Sequence, residues 1–282
     1  MEKKETVKKK TKKQVKTNSN KKQQAKKVTK KVEKDNKKKK IIHYIVEVIF
    51  IILILISVFK IFIWWKDNHK SKKILKETSK NVEVIKDESG EDTLKVDFAS
   101  LKKQNSDTVA YLKVNGTNID YPLVKTTNNE YYLFRSFDKT YNEAGWPFIN
   151  FQNKLDGTDK NISIFGHARL DGSMFGTLKD TLNETWQSDE NNFKVTFITE
   201  NEESTYQVFS TYKIKVEDYY INADFISNNE FDKFIKTLKS RSNKDYGIEV
   251  SGEDQIITLS TCDINNDYRI VMHAKKVNWL FK

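Results

Sequence analysis

The chain has 282 residues with a formal net charge of +11, 37% hydrophobic and 32% charged residues, and a single cysteine. The charge is concentrated: residues 1–40 carry 19 Lys against Glu2, Glu5, Glu33 and Asp35, leaving the other 242 residues at a net −4. That split argues against nucleic acid as a partner, since such binders place their basic surface on the folded domain, and a lone Cys262 excludes an internal disulfide.

Residues 1–40 have no apolar periodicity, and their Lys excess predicts a disordered tail. Ile41–Trp65 follows as IIHYIVEVIFIILILISVFKIFIWW. At ~1.5 Å per residue this stretch reaches roughly 37 Å, enough to cross a hydrocarbon core of ~30 Å. Glu47 and Lys60 lie near its ends, and Trp64 and Trp65 suit an interfacial belt. The other use for so apolar a helix is the core of a large protein. No small-residue cleavage site follows, so the expectation is a retained anchor at 41–65 rather than a removed signal peptide. The basic flank predicts a cytoplasmic N-terminus and an extracellular remainder, as at a Gram-positive type of cell surface. A single pass through the cell membrane is expected.

Residues 66–96 are polar and read as a stalk with some helix. Residues 97–282 read as the folded domain. A short helix is expected over Asp97–Gln104, with Phe98 and Leu101 three apart. Short β-type runs then follow: TVAYLKV, NIDYPLV and WPFIN, separated by turn residues such as Asn115-Gly116 and Glu143-Ala144-Gly145. Further strands are expected at Asn161–Phe165, Phe193–Thr199, Thr205–Val216, Gln255–Thr261 and Tyr268–Val277. One amphipathic helix interrupts them. Ser227 and Glu230 have capping-box spacing, and Phe231, Phe234, Ile235 and Leu238 share one face. The fold class is therefore mainly β, a closed or nearly closed barrel with peripheral helices.

Chemistry-bearing residues fall at strand ends, where a rigid barrel can present them. Ile162–Gly166 ends on His167 and is followed by Asp171-Gly172-Ser173-Met174-Phe175-Gly176. Thr258-Leu259-Ser260-Thr261 ends on Cys262, and Arg269 opens the next strand. A cysteine attacks an amide carbonyl as its thiolate, a histidine can exchange protons with thiol and leaving amine, and a guanidinium can stabilise the oxyanion. Each residue also has a plainer use. Cys262 could be buried and inert, His167 could serve a turn, and Arg269 could pair with Asp263 or Asp267. His43 and His69 flank the apolar stretch. His273 lies about 13 Å beyond Arg269 along its strand at ~3.3 Å per residue, which favours His167 as the partner.

TLSTC with an arginine opening the following strand, and a GH at a strand end upstream, resemble the sortase signature. The GH-x3-DGSMFG form, the preceding NIDYP and the helix inserted before TLSTC resemble class B sortases in particular, over roughly Phe98 to the C-terminus. The resemblance implies a sortase-type closed barrel with extra helices and a cysteine transpeptidase acting without a cofactor. Cys262 would be the nucleophile, His167 the general acid/base and Arg269 the oxyanion or carbonyl stabiliser. Ser260 matches a position that contacts the sorting peptide, with Thr261 and Asp263 beside it. The substrates would be secreted proteins bearing a C-terminal sorting signal. The acceptor would be an amine of a peptidoglycan precursor or a pilin. Two other readings remain at this point: a hydrolytic cysteine peptidase, and a non-catalytic surface-displayed barrel. His and Cys spacing offers no zinc pattern and the acids no calcium loop, so no metal is expected.

Overall fold

A computed structural model describes residues 2–86, 90, 92–262 and 267–277, with only the backbone described for 2–21, 23, 92 and 262. The chain forms two compact units, residues 1–63 and Trp64–Lys282. The first helix, α1 (Glu2–Thr78), runs through both. Its apolar stretch is long enough to cross a bilayer, and none of its most apolar window is buried, making it a candidate membrane span rather than a core helix.

Residues 2–40 lie within α1, whereas the sequence predicts a disordered tail there. The side chains described between Gln24 and Lys40 are exposed. Straight-chain Lys, Gln and Glu lose little rotamer freedom in a helix, and extending an existing helix avoids the cost of a new nucleus.

After α1 come β1 (Val82–Lys86) and β2 (Asp92–Val96), an antiparallel pair with Val82 opposite Val96. This pair stands where the stalk was expected, and its alternating Val-Glu-Val-Ile-Lys is the local signal for it. Helix α2 (Phe98–Gln104) is capped by the Asp97 carboxylate, which accepts from Ser100 N. The barrel strands are β3 (Thr108–Val114), β4 (Asp120–Val124), β5 (Phe148–Ile149), β6 (Asn161–Gly166), β7 (Lys194–Ile198) and β8 (Glu203–Lys215). A one-turn helix, α3 (Glu184–Gln187), precedes β7. Helix α4 (Asn228–Arg241) follows β8, and β9 (Ile256–Cys262) and β10 (Tyr268–Val277) complete the set. The expected strand at WPFIN is reduced to two residues: Trp146 N donates to the Tyr132 carbonyl and its indole to the Pro122 carbonyl of β4, while the Asn150 side chain accepts from Gln152 N in the turn that follows.

The eight strands close in the order β10-β8-β7-β3-β4-β5-β6-β9, with β9 returning to β10. Two neighbours, β4–β5 and β6–β9, are parallel and the rest antiparallel. Ile257, Leu259, Ile270 and Met272 join the interior core, while Ile256 and Val271, one residue out of phase, pack under α4 with Phe231, Phe234, Ile235 and Leu238. That two-residue alternation leaves β9 and β10 buried on both faces. The Ser227 hydroxyl accepts from Glu230 N at 3.2 Å, and Glu230 accepts in return from Ile226 N at 2.7 Å.

Candidate active site

Three strand ends meet at one mouth of the barrel. In the β6–β9 pair Gly166 lies opposite Thr261, and in the β9–β10 pair Cys262 lies opposite Arg269. His167 follows Gly166 as Cys262 follows Thr261. The backbone therefore brings His167, Cys262 and Arg269 to one level on three adjacent strands. By alternation, positions 262, 260 and 258 of β9 share the face of the β10 positions 269, 271 and 273. His167, Arg269, Ser260 and Thr261 line a single cleft of about 220 Å³. Its other walls include Leu133, Phe148, Phe165, Val216, Glu217, Asp218, Tyr220 and Ile221. Asp263 lies outside the described residues.

The loop after β6 folds back on His167. Phe175 N donates to the His167 carbonyl at 3.0 Å, and Ala168 bridges to Met174. A Cβ on Gly166 would come within 2.7 Å of the Phe175 ring, so the glycine before the histidine is what lets this loop close. The Asp171 carboxylate accepts from Ser173 N and Oγ and shapes the turn between them.

The His167 ring is fixed by a backbone acceptor: Nε2 lies 2.8 Å from the Leu133 carbonyl. A carbonyl only accepts, so Nε2 carries the hydrogen and the neutral ring keeps its lone pair on Nδ1. Gly145 packs beside this contact. At φ +61 it adopts a left-handed turn, and a Cβ there would meet the Leu133 carbonyl at 2.8 Å and His167 Cδ2 at 2.9 Å. Burial pushes the His167 pKa below the usual imidazole range, partly offset by the Leu133 carbonyl and reinforced by the Arg169 and Arg269 guanidinium groups. His167 is thus neutral at pH 7.

Arg269 is half-buried, and its Nη1 donates to the Tyr268 carbonyl at 3.2 Å. Ser260 is buried, with its hydroxyl 3.0 Å from Tyr220 Oη. The Tyr220 segment is itself held by Asn161, whose amide donates to the Tyr220 and Asn222 carbonyls at 3.1 and 2.9 Å. Arg241, in the last turn of α4, stands 2.6 Å from Glu217 and 5.0 Å over the Tyr219 ring. The cleft wall at 216–221 is therefore tied to both β6 and α4. Leu133, Gly145, Asn161 and Tyr220 escape a reading of the sequence. Two of them act through backbone atoms, and the others sit in segments with no chemical signature.

His273 lies away from the cleft. It is fully buried, its ring between Thr258 Oγ1 and Tyr212 Oη, each at 2.8 Å. His69 stacks on Trp65 with ring centroids 5.7 Å apart.

Comparisons with known proteins follow the same lines. The family model described as Sortase domain matches residues 112–277. The chain is 36% identical over 142 residues to sortase B of Listeria monocytogenes, covering 48% of this chain and 55% of that protein. It thus spans about half the length of that relative. It is 28% identical over 234 residues to sortase B of Staphylococcus aureus, covering 82% of this chain and 95% of that protein. The crystal structure of sortase B from B. anthracis superposes with a TM-score of 0.67 at 29% identity, covering 76% of this chain and 99% of the other.

Proposed function

The chain belongs to the sortase family, and from that premise we propose that it is a class B, membrane-anchored cysteine transpeptidase working through a thioester at Cys262. What supports this reading is the backbone register, which puts positions 167, 262 and 269 on neighbouring strand ends, with His167 and Arg269 lining one cleft. The neutral His167 offers its Nδ1 lone pair to the Cys262 thiol, forming the thiolate that attacks the scissile carbonyl of a C-terminal sorting signal. The Arg269 guanidinium stabilises the oxyanion without changing its own protonation. As the tetrahedral intermediate collapses, the protonated His167 delivers its proton to the departing amine, leaving the acyl group on sulfur. An incoming amine, from a peptidoglycan precursor or a pilin, then attacks the thioester. His167 takes its proton, and the thiolate leaves. Burial makes the imidazolium costly, so the thiolate–imidazolium pair is the minor form before substrate enters.

The apolar walls supplied by Leu133, Phe148, Phe165 and Ile221 suit an extended peptide with apolar side chains. Ser260 and Thr261 sit at its floor, beside the nucleophile, with Asp263 next along the chain. The span at 41–65 tethers the domain to the cell membrane with the Lys-rich end in the cytoplasm. There the lysines nearest the bilayer would be attracted to anionic lipid by about 1 kcal/mol each. The domain on the other side would meet exported proteins as they emerge.

The test is mass spectrometry of the protein mixed with a small library of sorting peptides. An acyl-enzyme on Cys262 should accumulate, and adding an amine should convert it to ligated peptide. Cys262→Ala should give neither. Ligated product from that variant would refute the mechanism, and free acid alone in the presence of amine would mark a hydrolase.

A further inference from the structure

The last turns of α1 present a buried stripe at helical spacing: Asp67, Ser71, Ile74 and Thr78, with Asn68 beside them. Ile74 joins the hydrophobic core, as expected of a helix docked for stability. The residues one and two turns earlier are polar, and their partners all lie on the two segments that enclose His167. Asp67 Oδ2 accepts from Glu143 N at 3.1 Å. The Asn142 amide donates to the Asp67 carbonyl at 3.3 Å and to Ser71 Oγ at 3.1 Å. Asn68 Oδ1 accepts from the Arg169 guanidinium, two residues beyond His167.

Asn142 passes this grip onward. It is fully buried, its Oδ1 accepts from Ala144 N at 2.8 Å, its own N–H donates to the Phe134 carbonyl at 3.0 Å, and its carbonyl accepts from Gly145 N at 3.0 Å. Phe134 adjoins Leu133, whose carbonyl orients the imidazole, and Gly145 lies beside the imidazole Cδ2. We propose that Asp67, Asn68 and Ser71 are positioning residues for His167: the end of the span-bearing helix clamps both the Leu133–Gly145 loop that contacts the imidazole and Arg169, two residues along the chain from it. The proposal rests on His167 serving Cys262. It makes the tether part of the catalytic scaffold, since the turns following Trp65 are those that hold the histidine. A displacement of about 1 Å in such a group can cost a hundred-fold in rate.

The test uses the full chain in detergent micelles, with diethyl pyrocarbonate as probe of imidazole reactivity and iodoacetamide as probe of Cys262. Mass spectrometry reads His167, with the buried His273 as internal reference. In the Asp67→Ala/Asn68→Ala double variant, carbethoxylation of His167 should rise about ten-fold, the shift in a local opening equilibrium that one lost hydrogen bond produces. His273 should stay unreactive. The pH profile of Cys262 alkylation should move with it. The charged groups around His167 that bear on that profile are Arg169 and Arg269, with Glu217 and Asp218 across the cleft. Asp67→Asn, which keeps an acceptor for Glu143 N, should restore wild-type behaviour, as bulk destabilisation would not. Should the double variant melt early, Asn68→Ala alone, which leaves the Asp67 bonds in place, should still raise His167 reactivity. A folded variant with unchanged His167 reactivity overturns the proposal. If His167→Ala instead leaves the Cys262 profile as in the wild type, the transpeptidase reading fails, while the carbethoxylation result still decides whether α1 holds the ring.

Discussion

At the residue scale, the choice of guanidinium over ammonium at position 269 is informative. An arginine presents planar, paired donors and stays charged in a half-buried cleft beside a neutral histidine, whereas a lysine is a strongly hydrated point charge that deprotonates when desolvated. Arg269→Lys should therefore lower the acyl-transfer rate by roughly a hundred-fold, the scale of one lost oxyanion donor, while leaving the melting temperature near that of the wild type. Single-turnover acylation followed by mass spectrometry measures it, and a wild-type rate would return Arg269 to a structural role. Cys262, His167 and Arg269 stood out in the sequence as candidates because each is a chemically distinctive side chain next to a strand boundary that hydrophobic alternation marks. The Leu133 carbonyl that orients His167 did not, since every residue carries the same acceptor. Ser260 was read as a substrate contact. It does line the cleft, but its hydroxyl already faces Tyr220, a pairing that no local pattern announces.

At the element scale, period-two runs located the barrel strands because one face of each is buried in the core. The β1–β2 pair was missed: its alternating segment is short, lies in charged sequence and packs only peripherally, on Phe98, Tyr111 and Ile198. His273 shows what strand packing does to a titratable group. It sits on β10 between β9 and β8, beneath α4. Asn161 donates both amide hydrogens to carbonyls, so its Oδ1 receives the Thr258 hydroxyl at 2.6 Å. Thr258 must then accept from His273 Nδ1–H, and Nε2 accepts from Tyr212. The ring is held neutral, its pKa pushed down to about 3 by burial and by Arg241. The unfolded chain binds this proton near pH 6.5 and the folded one only near 3, so folding stability is full above 6.5 and declines as pH falls between those values. Between pH 7 and 5 this residue alone should remove about 2 kcal/mol. Denaturant unfolding of the wild type and His273→Gln across that range should show a flatter pH dependence in the variant; coincident slopes would contradict the assignment.

At the scale of the whole molecule, the Lys-rich end, the apolar span and the barrel were each visible as changes in composition. What composition could not reveal is where tether ends and catalytic domain begins. The expected boundary near residue 97 came from the start of regular strand patterning. The compact unit that holds the barrel begins at Trp64 and takes in the buried Asp67, Asn68, Ser71, Ile74 and Thr78, a mostly polar stripe that gives no hydrophobic period in a charged helix. Two truncations separate these boundaries. Removing residues 1–65 deletes the basic end and the apolar span but keeps Asp67, Asn68, Ser71, Ile74 and Thr78. The product should be soluble without detergent and should acylate a short sorting peptide within about two-fold of the full chain, since no group that touches the cleft is lost. Removing residues 1–78 strips the buried face. Burial of Ile74 alone is worth about 2 kcal/mol, so this shorter form should melt lower than the 66–282 form. If α1 also positions His167, its acylation rate should drop about ten-fold or more at temperatures where it is still folded. Acylation rates and thermal melts of the two forms, compared on one peptide, decide the matter: equal rates would make the helix end a stabiliser only, and an inactive 66–282 form would mean that the membrane span contributes more than a tether.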